Sequence, residues 1–177
     1  CLDRILIINR RHLEQVLRAY TAHYTDTGRT ARSASGRASS NSRRVAIKAR
    51  IVRHRGAAFR AASLTKHMAY LRREGVARDS DRAIMFDADG ELANGNVFVE
   101  RCAGDRHHFR FIVSPEDAGE MEDLRAFTRD LARQMEADLG TRLDWVAVDH
   151  WNTDNPHIHL LVRGVDNAGE DLVIARD

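Results

Sequence analysis

The chain has 177 residues, 43% of them hydrophobic and 31% charged, with 28 Lys+Arg against 26 Asp+Glu. That balance fits a globular chain with a core of its own and excludes a disordered one. No apolar run nears the roughly 18 residues of a membrane span, and two cysteines, Cys1 and Cys102, exclude a disulfide scaffold.

The cysteine usage makes a reducing intracellular compartment the default. The formal net charge of +2 hides a division of the chain. Residues 1–77 hold 17 basic and 4 acidic side chains, and residues 78–177 hold 11 and 22. A basic part that meets a polyanion, joined to an acidic part, gives such a distribution. The chain opens on Cys1 without a signal peptide, as expected of a piece of a longer protein.

Residues 11–24 place Leu13, Val16, Leu17 and Tyr20 at helical spacing and predict a short amphipathic helix. The following stretch, rich in Ser, Arg and Gly, predicts a flexible basic linker up to residue 44. Folded structure is expected from Val45, where VAIKARIVRH alternates apolar and basic residues like a half-buried strand and brings in Arg53 and Arg55. AAFRAASLTKHMAYLRREG reads as a helix stopped by Gly75, and RAIMF as a weak strand before the turn DADG. HHFRFIV is a strand with His108, Arg110, Ile112 and Ser114 on one face. Ser114 and Pro115 then look like the cap and first residue of a helix that carries Met121, Leu124, Phe127, Leu131 and Met135 and ends at Gly140. LDWVAVDH, HIHLLVRG and DLVIA complete the strands. The expected fold is α+β, an antiparallel sheet of about five strands with helices packed on one face.

Chemistry concentrates in DHWNTDNPHIH. His157 and His159 are two residues apart on a strand and share a face, and His150 ends the preceding strand. Three imidazoles can converge there on a divalent cation and leave positions open for substrate. Asp149 and Asp154 are close enough in sequence to orient a ring N–H. The competing reading is a purely structural set of histidines. A closed structural zinc site would need a fourth ligand, and Cys102 is the sole interior thiol. Tyr70 is the candidate nucleophile, with Arg72 and Arg73 beside it to hold phosphates, unless it is simply a half-buried helix tyrosine.

Three segments taken in order, HMAYLRREG, DRHHFRFIVSPEDA and DHWNTDNPHIHLLVRG, resemble the tyrosine, serine and metal motifs of relaxases of the HUH endonuclease superfamily. The likeness is nearest to the branch that includes the border-nicking endonuclease of tumour-inducing plasmids. It covers residues 44–177, a relaxase domain expected to be incomplete at its C-terminus. The resemblance implies metal-dependent nicking and rejoining of single-stranded DNA at an origin of transfer. Tyr70 would form a 5′-phosphotyrosine, His150, His157 and His159 would hold the cation, and Ser114 would contact DNA beside the nick, with His108 and Arg110 on its strand face as candidates for a DNA-facing surface or for a polar strand edge. Mg or Mn is implied by the family, while an all-imidazole set suits Mn and other transition ions better. It further implies bacterial cytoplasm, accessory relaxosome proteins and a type IV secretion coupling protein. A rolling-circle replication nickase and a catalytically inactive DNA-binding remnant remain open alternatives.

Overall fold

The computed structural model describes residues 44–54, 57–74, 77–78 and 83–174. The helix expected over residues 11–24, the linker, Arg55 and Gly75 lie outside the described residues. The elements are β1 (Val45–Arg53), α1 (Ala57–Glu74), β2 (Met85–Phe86), α2 (Gly95–Arg101), β3 (His107–Pro115), α3 (Leu124–Leu139), β4 (Trp145–His150) and β5 (His157–Arg163). Five strands form one antiparallel sheet in the order β1-β3-β5-β4-β2. The expected α+β class and strand number are therefore found.

The helices do not share one face, as the sequence had suggested; they cover both. On one side Phe109, Phe111, Val113, Trp145, Ala147, Ile158, Leu160 and Val162 meet Leu124, Phe127 and Leu131 of α3. On the other side Val146, Val148 and Leu161 meet Leu64, Met68 and Leu71 of α1 and Phe98 of α2. β4 is buried along its whole length because it lies between these two cores. β2 shows the division in two residues: Met85 joins one core and Phe86 the other. Each large apolar side chain so buried stabilises the fold by about 1.5–3 kcal/mol.

α2 was not foreseen. Its seven residues are too few to show a helical period, although Asn94 caps it by accepting from the N–H groups of Asn96 and Val97. α1 and α2 approach closely at Gly95, where a Cβ would stand 2.7 Å from Met68 Cε and 2.8 Å from Arg72 Nη2 and would push these flexible side-chain ends aside.

Two further expectations are corrected. Ser114 and Pro115 do not start a helix; they pair with Ala46 and Val45 and prolong β3. Proline is tolerated at this strand end, and the ladder closes instead through Glu116 N–H to Arg44 O. A single 3-10 turn follows (Ala118–Glu120), and α3 begins at Asp123, whose carboxylate accepts from Arg125 and Ala126 N–H. Its other end is as read, with Gly140 left-handed at φ 67°. DLVIA makes no strand, only one bridge between Val165 and Asp171. Leu172 is then held by its N–H to Gly164 O and by His107 Nε2–H to its carbonyl.

Candidate metal centre and DNA-facing surface

Antiparallel register decides which side chains share the α1 face of the sheet. Val148 pairs with His159, His159 with Ile112, and Ile112 with Lys48. His150 pairs with His157, and continuing the β3–β5 register by one residue brings Ser114 level with His157. One row over, Arg110 lies between Leu161 and Arg50. The face therefore carries the three histidines, Ser114, Arg110, Arg50 and Lys48, and the described side chains of α1 pack on its β4–β5 side.

The histidines converge as expected. One ligand nitrogen from each of His150, His157 and His159 lies within 4.8 Å of the others. His157 Nε2 and His159 Nε2 are 3.2 Å apart. Two imidazole nitrogens about 2.1 Å from a common ion stand about 3.0 Å apart at a right angle and about 3.4 Å apart at a tetrahedral angle. The observed spacing falls between these, so the residues fit a cation. His157 Nδ1–H donates to the carbonyl of Asn155 at 2.9 Å, which leaves Nε2 with its lone pair toward the cluster. Burial, reinforced by His150 and His157, pushes His159 down to about 3, so it stands neutral and able to ligate near pH 7.

The carboxylates expected to orient these rings do other work. Asp149 is next to His150 on a strand and so points to the opposite face. There its Oδ1 accepts from Arg125 Nε and Nη2, and its Oδ2 from Trp151 Nε1–H. Asp154 is exposed in the connecting loop. A backbone carbonyl, that of Asn155, fills the role assigned to them.

Tyr70 is 47% exposed on the flank of α1, and its ring stacks on His67 with centroids 6.2 Å apart. His67 is half-buried and was missed in the sequence, although a residue three positions before Tyr70 must share its helix flank. Burial, with Arg110 adding, pushes His67 down to about 4. His67 in turn helps to depress His159. Tyr70, His67, Arg110 and His159 thus form one connected neighbourhood. Arg72 and Arg73 are exposed on α1, with the Arg72 guanidinium against Gly95. Arg53 is exposed, but by strand alternation it belongs to the α3 face of the sheet, not the histidine face.

His108 is not a surface residue. It is fully buried, and both ring nitrogens are engaged. Arg110 Nε–H donates to His108 Nε2 at 2.9 Å, so that nitrogen is bare and the proton is on Nδ1. That proton goes to His54 Nε2 at 2.6 Å, and His54 Nδ1–H donates to Asp105 O at 2.9 Å. The Asp105 carboxylate is held in turn by Arg163 Nε and Nη2. This chain of bonds fixes the tautomers of both rings.

Burial, then Arg110, pushes His108 down to about 3. Above its ordinary value of 6.5 neither folded nor unfolded His108 is charged, and stability is full. Between 6.5 and about 3 only the unfolded chain takes up the proton, so stability falls as pH falls. From about pH 7.5 to about pH 5 this group alone should cost about 2 kcal/mol. Urea unfolding at both pH values should show that loss shrinking by about this amount in His108→Gln; an unchanged pH dependence would place the acid sensitivity elsewhere.

The family model of the relaxase MobA/VirD2-like nuclease domain matches residues 65–175, a span holding Tyr70, Ser114 and all three histidines. The chain belongs to this relaxase family. No curated protein and no solved structure matches it. Relaxases of this family nick DNA in mobilisation, bind single-stranded DNA and depend on metal in general; in this relaxase the histidine triad is a group that could hold the ion. No described helix is long and apolar enough to cross a membrane. Cys102 takes no part in the relaxase triad: it is packed beside Leu64 and Phe98, and burial pushes its thiol up to about 12.

Proposed function

We propose that this relaxase domain nicks and rejoins one strand at an origin of transfer through a 5′-phosphotyrosine on Tyr70, and so initiates conjugative mobilisation. The observation that carries this reading is the shared neighbourhood of an exposed tyrosine and three convergent imidazoles, joined through His67. Tyr70 Oη attacks the scissile phosphorus and loses its proton, the bond to the 3′ oxygen breaks, and that oxygen is protonated. Reversal by the free 3′ hydroxyl rejoins the strand, because the phosphotyrosine keeps the bond energy. His150, His157 and His159 hold the cation, which when bound supplies Lewis-acid polarisation of the phosphate. Mn suits the imidazole set better than Mg. Ser114, level with His157, positions the nucleotide beside the nick, and Arg72, Arg73 and Arg110 hold the backbone. Within the family, the chain resembles the branch that includes the tumour-inducing-plasmid border endonuclease. The setting is bacterial cytoplasm, with accessory relaxosome proteins and a type IV secretion coupling protein as partners.

The test is incubation with supercoiled origin DNA and Mn, with and without chelator, followed by denaturing electrophoresis. The expected products are a nicked circle and a protein bound covalently to DNA, both lost on chelation. Nicking without an adduct would overturn the tyrosine mechanism.

A further inference from the structure

His150 and His157 are the last pair of the β4–β5 ladder, so two members of the triad stand at the end of the sheet, where strands fray. Trp151 is the first residue beyond that pair, and the connecting loop runs from it to Pro156. Past the last pair the ladder no longer sets the chain, and the spacing of the two imidazoles depends on how this loop is fixed.

Side chains on the back of the sheet fix it. By alternation Asp149 and Trp151 share the face opposite His150, and Trp151 packs half-buried against the α3 core. Its Nε1–H donates to Asp149 Oδ2 at 2.7 Å. Asp149 is buried, and its Oδ1 accepts from Arg125 of α3 at 3.1 and 2.9 Å. A buried carboxylate is unfavourable unless it is well paired; here one oxygen is taken up by a guanidinium and the other by the indole. Over the same indole lies Arg78, its guanidinium carbon 5.0 Å from the ring centroid. Arg78 is anchored in turn by Nη1–H to the carbonyl of Met121 at 2.8 Å, and it belongs to the segment that follows α1, the helix of Tyr70.

We propose that Trp151 is a positioning residue for the metal centre: gripped by Asp149 and Arg78 on the far side of the sheet, it fixes the start of the β4–β5 loop and with it the separation of His150 and His157. Those two rings stand with centroids 5.3 Å apart. The same loop supplies the Asn155 carbonyl that takes the Nδ1 proton of His157, so one grip governs both where His150 sits and how the His157 ring is turned. The grip lies on the face away from the ion and acts on the site through these two histidines. The inference rests on the histidine site of the nuclease reading above.

The test is calorimetric titration of Mn alone into the full chain, beside thermal melts of the same chain without metal. Trp151→Leu removes the indole and should weaken Mn binding about tenfold to a hundredfold, the range found when groups that orient metal ligands are lost. Trp151→Phe keeps a ring under Arg78 but loses the N–H, and should fall between Trp151→Leu and wild type. Arg78→Gln, an exposed substitution, should weaken binding severalfold, and Arg78→Lys, which keeps a cation over the indole, should recover most of it. In a Trp151→Leu chain Arg78→Gln should add nothing, because both act through one indole. Leu131→Ala opens a cavity in the same core about two turns along α3 from Arg125; it should lower the melting temperature and leave Mn affinity unchanged. Loss of Mn affinity in Leu131→Ala equal to that in Trp151→Leu would reduce the effect to general stability and overturn the positioning role, as would wild-type Mn affinity in Trp151→Leu. A wild-type chain that takes up no Mn sinks the metal reading itself; a wild-type chain that binds Mn, with variants that bind it equally well, sinks only the grip.

Discussion

Tyr70→Phe should abolish covalent capture of DNA and lower strand cleavage by about four orders of magnitude or more, the scale seen when an attacking side chain is removed. The substitution deletes one hydroxyl from a ring that is 47% exposed. Surface changes of this kind alter stability by no more than about 0.5 kcal/mol. The ring still stacks on His67, so the flank of α1 keeps its shape. Oligonucleotide affinity should therefore stay near wild type while the adduct disappears from a denaturing gel. This split between binding and chemistry separates a nucleophile from a stacking platform. An adduct that persists would move the nucleophile to another tyrosine, Tyr20 or Tyr24.

Joint replacement His157→Ala/His159→Ala should remove the specific metal site and nicking together. Wild-type chain at a hundredfold excess of Mn over its dissociation constant should gain about 2.7 kcal/mol of stability by mass action. The double variant should gain none, and calorimetric titration should show no site. His150 alone, left at the end of β4, cannot hold an ion in a defined place. The variant also loses two half-buried rings, so its own melting temperature is the baseline for the metal-induced shift. A Mn-dependent shift equal to that of wild type would refute the triad as the binding site.

The parts of this site legible in the sequence are those governed by a period of two. His157 and His159 share a face because one residue separates them, and Ile158 and Leu160 between and beyond them enter the α3 core. The same rule, applied to neighbours, places Asp149 on the face opposite His150, so its absence from the histidine cluster was within reach of the pattern. What no local pattern holds is contact between distant segments. His54 and His108 meet at 2.6 Å because β1 pairs with β3 in one register, and a shift of one residue would turn every side chain over. The start of α3 was misread for a different reason: Ser-Pro-Glu-Asp satisfies the rules of a helix start and the end of an edge-paired strand alike. Pairing with Val45 and Ala46 decided between them. The two-sided placement of helices follows from β4, whose residues are apolar in every position from Trp145 to Val148. Such a run marks a strand covered on both sides.

β1 is an outer strand of the sheet among the described residues, nine residues long and paired on one side only. An unpaired strand edge of that length invites another chain to add to it, and lysine and arginine along it are a common protection. Arg44, Lys48, Arg50 and Arg53 punctuate this edge, so charges suited to a polyanion also keep copies of the protein apart. Neutralising several of them at once should therefore make the protein prone to self-association, and a weaker hold on DNA would come with poorer solubility.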